Sequence, residues 1–312
     1  MVVLLGAQRF DPSLGAAVQN LRVSGRIATI TAGWQELEGE DEELSAHLGG
    51  DTVNLKLHAR GEEVFRADPE LRNAHRERQD WLRHEQDFYR IRLEHELAAA
   101  LVIQKRVAPP EIAAEQTQIS LKAIQALDAS HLANCARLHE EFDARWSLPS
   151  RPSVAGHREE VARLVEDCAA VAIAGGHVAS LINRLTLFGL GPLLRTKVVF
   201  AWSGGAMAIS DRIVLFHDDP PQGPGVSEVL DAGLGLVPGV VVLPQPEQRL
   251  QLNRTERVAS LVRRFSPAKC LAMPARSRVT WSHGSLSSAS GVVELRADGT
   301  HGPFETAAGE VR

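Results

Sequence analysis

Runs of consecutive apolar residues alternate with amphipathic stretches over most of the chain. The runs are "VVLL" (2–5), "RIATITA" (26–32), "TVNLKL" (52–57), "AVAIAGG" (170–176) and "KVVFAWS" (197–203). Helix-like spacing marks "PSLGAAVQNL", "QELEGEDEELSAHL", "AGHREEVARLVEDC" and "HVASLINRLTLF" between them. Uninterrupted β-branched runs suit strands buried on both faces, and strand–helix alternation suits parallel pairing. The pattern therefore predicts an α/β fold: a three-layer sandwich with a mostly parallel, doubly wound sheet.

Residues 62 to 148 break that alternation. Leu82, Tyr89, Leu93, Leu97 and Leu101 fall on one helical stripe with Trp81 and Phe88 beside it, and Ile124, Leu127, Cys135, Leu138 and Phe142 form a second. Asp68-Pro69 restarts the first helix, and Pro109 and Pro110 mark the turn between the two. The segment 62–148 is predicted as an inserted helical hairpin in an α/β core of residues 1–61 and 149–312, with "SLPSRPSVAG" (147–156) as the link back. Two readings of Trp81, Phe88 and Tyr89 stay open: they pack the hairpin onto the core, or they face a partner, such as a second copy in a homo-oligomer. After residue 265, "KCLAMP", "RVTWSHG" and "GVVELRADG" read as short strands forming an antiparallel edge or hairpin.

A net charge of -5 and the absence of any basic block set aside a nucleic-acid binder. No apolar run is long enough to span a bilayer. "MVVLLGAQRFDP" reads as a first strand, not as a signal peptide. Cys135, Cys168 and Cys270 are scattered and odd in number, which fits reduced thiols and a cytoplasmic location. No H-E-x-x-H or paired E-x-x-H motif occurs among the histidines of 62–148, so neither a metal nor a cofactor is expected.

The candidate chemistry sits in "AWSGGAM". Ser203 ends an apolar run and precedes small residues, as a nucleophile elbow requires; the plainer alternative is a tight turn ahead of a helix. "TAGWQELE" follows the second strand, at the sheet edge where open α/β folds place ligands, so Trp34, Gln35 and Glu36 either line a pocket shared with Ser203 or cap the next helix.

The chain resembles the peptidase E and cyanophycinase family of serine peptidases, of class I glutamine amidotransferase-like fold. The likeness is carried by "ITAGWQE" (30–36), "AIAGGHVASLINRL" (172–185), "AWSGGAMAISDRIVLFHD" (201–218) and "GLGLVPGVVVLPQ" (233–245), in the family's order. It implies that Ser203 is the nucleophile and that Gly204, with Gly175 and Gly176, forms the oxyanion hole. It also implies that Asp218 orients a histidine expected at the end of "VVLP". Gln245 stands there instead, and a neutral amide cannot take the serine proton. His177 and His217 are the alternative bases; His283 would fit only an ordinary α/β-hydrolase order. Two functions follow: a serine hydrolase acting on small peptide-like amides, or an inactive relative that binds a ligand or partner.

Overall fold

The computed structural model describes residues 1–218 and 225–304. Five of the apolar runs are strands: β1 (Val2–Leu5), β2 (Ile27–Ile30), β3 (Thr52–Asn54), β4 (Ala170–Ile173) and β5 (Val198–Trp202). They lie parallel in the order β1-β5-β4-β2-β3. Every residue of β1, β2 and β4 is buried, which explains why these runs show no polar alternation. Along β1, Val3 and Leu5 join a cluster with Leu14 and Phe200, while Val2 and Leu4 join another with Ile30, Val171 and Leu181.

The helices of this part are α1 (Leu14–Asn20), α2 (Glu42–His47), α3 (Leu57–Ala67), α4 (Pro69–Gln104), α5 (Pro110–Trp146), α6 (Pro152–Glu166), α7 (Val178–Leu187), α8 (Leu190–Arg195) and α9 (Gly204–Ala208). Then come β6 (Arg212–Leu215), β7 (Glu228–Ala232), β8 (Val240–Pro244), α10 (Pro246–Arg249), α11 (Thr255–Phe265), β9 (Lys269–Met273), β10 (Arg278–Ser282), β11 (Ser285–Ser290), β12 (Val293–Leu295) and β13 (His301–Pro303). Strands β10 and β11 extend the parallel sheet antiparallel to β1, giving seven strands. Strand β11, "SLSSAS", is polar, as suits an exposed edge. The turn into it uses His283 and Gly284, both at positive φ, the geometry that two-residue hairpins favour. A second sheet, β13-β12-β9-β8, and the antiparallel pair β6–β7 complete a mixed α/β protein. No helix among the described residues is long and apolar enough to cross a membrane.

Two stretches differ from the sequence expectation. The predicted helix over "QELEGEDEELSAHL" is a short 3-10 segment, Ala32–Leu37, followed by α2, because Gln35 leaves helical geometry at φ 58° and ψ -120°. The supposed link 147–156 is mostly helix: Pro152 takes the first position of α6, where its missing N–H costs nothing. Arg151, just before it, donates to Asp68 at 2.9 Å and holds the two ends of the hairpin together.

Asp68 also accepts from the Leu71 N–H at 3.0 Å, capping α4, and Pro69 follows as that helix's first residue. Helices α4 and α5 run antiparallel, since Asn134 meets Glu85 and Asp128 meets Tyr89. Arg264 of α11 reaches between them, donating to both Asp128 oxygens and to the Tyr89 hydroxyl, each at 2.7 Å. That hydroxyl donates to Asp128 at 2.8 Å and accepts from the Val229 N–H at 3.0 Å. Of the two readings of the three aromatic rings, packing holds for Tyr89, which is buried, whereas Trp81 and Phe88 are 57% and 61% exposed.

His75 of α4 sits between Phe65 and Phe142, with ring centroids 4.7 and 6.5 Å away. Burial, helped by the charges of Arg78 and Arg184, pushes its pKa down to about 3 from the ordinary 6.5. The folded protein therefore keeps His75 neutral while the unfolded chain protonates it. The stability it supports is complete above pH 6.5 and declines as pH falls towards 3. Moving from neutral pH to about pH 5 should cost up to about 2 kcal/mol through this residue. Urea unfolding at both pH values should show a smaller loss in His75→Gln; equal losses would contradict this account.

Candidate active site

Trp202 ends β5 and Gly204 begins α9, so Ser203 alone makes the turn. Its backbone sits at φ 50° and ψ -126°, a conformation that costs a non-glycine residue about 1–3 kcal/mol. Neighbouring backbones hold it there. A Cβ on Gly175 would stand 2.6 Å from the Ser203 Cβ, and one on Gly205 would stand 2.7 Å from the Ala174 carbonyl. Gly176, at φ 109°, crosses Gly33 so closely that neither has room for a side chain. The His177 N–H donates to the Gly33 carbonyl at 2.7 Å and ties the crossing together. Loops from the carboxyl ends of β2, β4 and β5 thus meet at one point, on the sheet edge where such folds bind ligands.

A cleft of about 810 Å³ opens at this point, lined by Ser203, Gly204, Gly175, Gly176, Trp34 and Gln245 among others. Ser203 is half-buried, and its hydroxyl makes no hydrogen bond among the described residues. As the first residue of α9, Gly204 has no intrahelical acceptor for its N–H. Nor do the Gly175 and Gly176 N–H groups find a backbone acceptor among the described residues. The Gly176 carbonyl oxygen and nitrogen lie 2.9 and 3.5 Å from where a Gly204 Cβ would stand, and Gly204 N lies 3.2 Å from where a Gly175 Cβ would stand, so the two loops are in contact here. A hydroxyl beside open backbone donors is the arrangement that addition to a carbonyl requires.

The remaining predicted residues are distributed unevenly. Gln245 faces the cleft from a left-handed turn, φ 55° and ψ 51°, between β8 and α10. Gln35 turns away to α7, where its Nε2 donates to Ser180 Oγ at 2.8 Å. His177 is exposed and caps α7, its Nδ1 accepting from the Ser180 N–H at 3.2 Å. His217 follows β6 with its Nδ1 buried, outside the cleft lining. Asp218 lies in a different cavity, where Arg257 Nε approaches at 2.9 Å and the Gln251 N–H donates at 2.8 Å. His283 is at the tip of an exposed hairpin and His301 is on the outer strand β13. The structure thus gathers Ser203, the three glycines, Trp34 and Gln245, and leaves Asp218, His217, His177 and Gln35 off the cleft wall.

His47 was missed from the sequence. It comes from the last turn of α2 and lines the cleft with Leu14 and Leu44. Its Nε2 accepts from the Gly15 N–H at 2.9 Å, which places the hydrogen of the neutral ring on Nδ1 and occupies the nitrogen that would serve as base. Only the position of "TAGWQE" at the sheet edge pointed towards this wall. No group of three or more metal-ligating side chains occurs among the described residues.

No family model matches the chain, and no curated protein matches it. Among solved structures it is similar to the crystal structure of a peptidase from an acI-B1 Actinobacterium, at 14% identity and a TM-score of 0.46. That match covers 95% of this chain and 90% of the other.

Gly175→Ala should destabilise the fold by about 1–3 kcal/mol, because the added methyl meets Ser203 with no room to move. Gly156→Ala, in α6 with nothing near its side-chain position, should be stabilising by about 0.5–1 kcal/mol. Chemical denaturation of both variants checks the contrast; equal stability for Gly175→Ala and wild type would contradict the crowded crossing.

Proposed function

We propose that the protein is a serine-type hydrolase acting on small peptide-like amides, in the manner of the peptidase E and cyanophycinase family. The observation that carries this reading is the elbow conformation of Ser203 beside open backbone N–H groups. The corresponding architecture is a class I glutamine amidotransferase-like three-layer sandwich of residues 1–61 and 149–312, with 62–148 as a helical insertion. A cytoplasmic location suits the three free, buried cysteines.

In the proposed reaction the Ser203 oxygen attacks the amide carbon. The carbonyl electron pair moves onto its oxygen, which the N–H groups of Gly204 and Gly176 hold. The serine proton passes to a water positioned by the Gln245 side-chain oxygen, since the amide can accept a hydrogen bond but not a proton. Collapse expels the amine with a proton from that water, and a second water hydrolyses the resulting ester. Without a preassembled base, acceleration rests on the oxyanion hole and binding, which alone sustain about 10³–10⁴ over water in well-studied triads.

A second reading is a relative whose cleft binds a peptide-like ligand without turnover. Two observations favour it: Gln245 at the cleft, and the engagement of Asp218 by Arg257 instead of by a histidine. In either case the exposed Trp81 and Phe88 suit self-association through the hairpin.

Labelling with a fluorophosphonate probe tests these readings. The hydrolase reading predicts slow wild-type labelling that is lost in Ser203→Ala and accelerated at least about tenfold in Gln245→His. Labelling that appears only in Gln245→His would favour the second reading, and labelling that persists in Ser203→Ala would refute the assignment of the nucleophile.

A further inference from the structure

Large apolar side chains left exposed are concentrated on the hairpin. Of the eleven among the described residues, eight lie within 62–148, which is not the even scatter of an ordinary surface. Trp81, Phe88, Ile91 and Val102 recur on α4 at heptad spacing, with His84, His95 and Ala98 at the remaining positions of the same stripe. All seven are exposed, on the side of α4 opposite the buried Tyr89 and Leu93. On α5, Ile112, Ile119, Ala126 and Ala133 form a second exposed stripe, opposite the buried Ile124. Tyr89, Leu93 and Ile124 belong to one core cluster, so both stripes point away from it and share one outward face.

The contacts Glu85–Asn134 and Tyr89–Asp128 fix the relative level of the two helices. They set Phe88 beside Ser130 and Ile119 beside Ala98, so at each level a bulky residue on one helix stands next to a small one on the other. We infer that this face is the interface of a homodimer, in which α4 of each copy lies over α5 of the other about a two-fold axis parallel to the hairpin. That rotation carries Phe88 over Ser130 of the partner subunit and Ile119 over Ala98 of the partner subunit. The surface is thus its own complement, as an isologous contact requires.

The area agrees with a second copy as the occupant. At about 1.5 Å per residue, Trp81 to Val102 spans about 32 Å, and two helices packed about 8–10 Å apart are about 20 Å across. The face therefore offers about 600 Å² per copy and about 1,200 Å² in the dimer, which reaches the range of standard stable interfaces. Trp81 and Phe88 supply the aromatic anchors on which such interfaces depend. The self-association to which these two rings point thereby gains a partner, a geometry and a register. It is independent of the hydrolase reading, because no residue of 62–148 lines the cleft.

Sedimentation equilibrium of the full chain at micromolar concentrations tests the interface, and a reversible monomer–dimer equilibrium is expected. Phe88→Glu should raise the dissociation constant at least about a hundredfold, since the change counts twice across the two-fold axis. Ser130→Trp separates a fitted interface from a merely sticky one. It adds apolar surface, so non-specific association would strengthen, whereas overpacking of the fitted face should weaken the dimer at least about tenfold. Phe10→Ser, which removes an exposed ring outside the hairpin, should leave the constant within about twofold of wild type. All three positions are exposed, so circular dichroism should show wild-type helicity in each variant. A wild type that stays monomeric, a dimer that Phe88→Glu leaves intact, or one that Ser130→Trp tightens would overturn the interface.

Discussion

The site depends on backbone meeting backbone with no side chain between. Three loops, from β2, β4 and β5, cross where Gly33, Gly175 and Gly176 pack against Ser203 and Gly205. The crossing leaves N–H groups without a backbone acceptor among the described residues, holds Ser203 in a costly conformation and opens the cleft beside it. Those features share one cause, so a single methyl at Gly175 touches all of them. The sheet supplies the rigidity that makes this possible, because β1, β2 and β4 are wholly buried and cannot relax to relieve the strain.

The hairpin is positioned by a different kind of interaction. Arg264 and Asp128 are 4% and 3% exposed, and every contact of their pair is a charge-assisted hydrogen bond. Burying such a pair recovers little net stability, but losing one partner strands a charge. Arg151 and Asp68 do similar work nearer the surface, and the Asp68 carboxyl lies well below the usual range because Arg151 donates to it. That contribution is complete above about pH 4 and fades as the carboxyl protonates in stronger acid. Apolar packing of Leu71, Leu93, Ile124 and Phe142 into the core clusters holds the hairpin, and the polar contacts fix where α4 and α5 leave the core.

Much of this was legible in the sequence, for reasons that can be named. Buried parallel strands leave continuous apolar runs, and Pro69, Pro109 and Pro110 punctuate the long helices whatever surrounds them. The small residues around Ser203 reflect crowding that is local in sequence as well as in space. Partners distant in sequence were not legible. Nothing near Asp218 announces Arg257, and nothing in "AGWQE" shows Gln35 reversing its backbone to meet Ser180. Trp81 and Phe88 sit beside a helical stripe, which left packing and partner contact both open, and the long helix turns them to solvent. His47 reaches the cleft only because α1 and α2 close on each other through Gly15.

A crystal structure of the protein reacted with a peptide boronic acid tests the central claim most directly. Boron mimics the tetrahedral carbon, and the account predicts a covalent bond to Ser203 Oγ. One boronate oxygen should lie within hydrogen-bonding distance, about 2.7–3.1 Å, of both Gly204 N and Gly176 N. A boronate bound elsewhere, or one on Ser203 with its oxygens turned to solvent, would contradict the account.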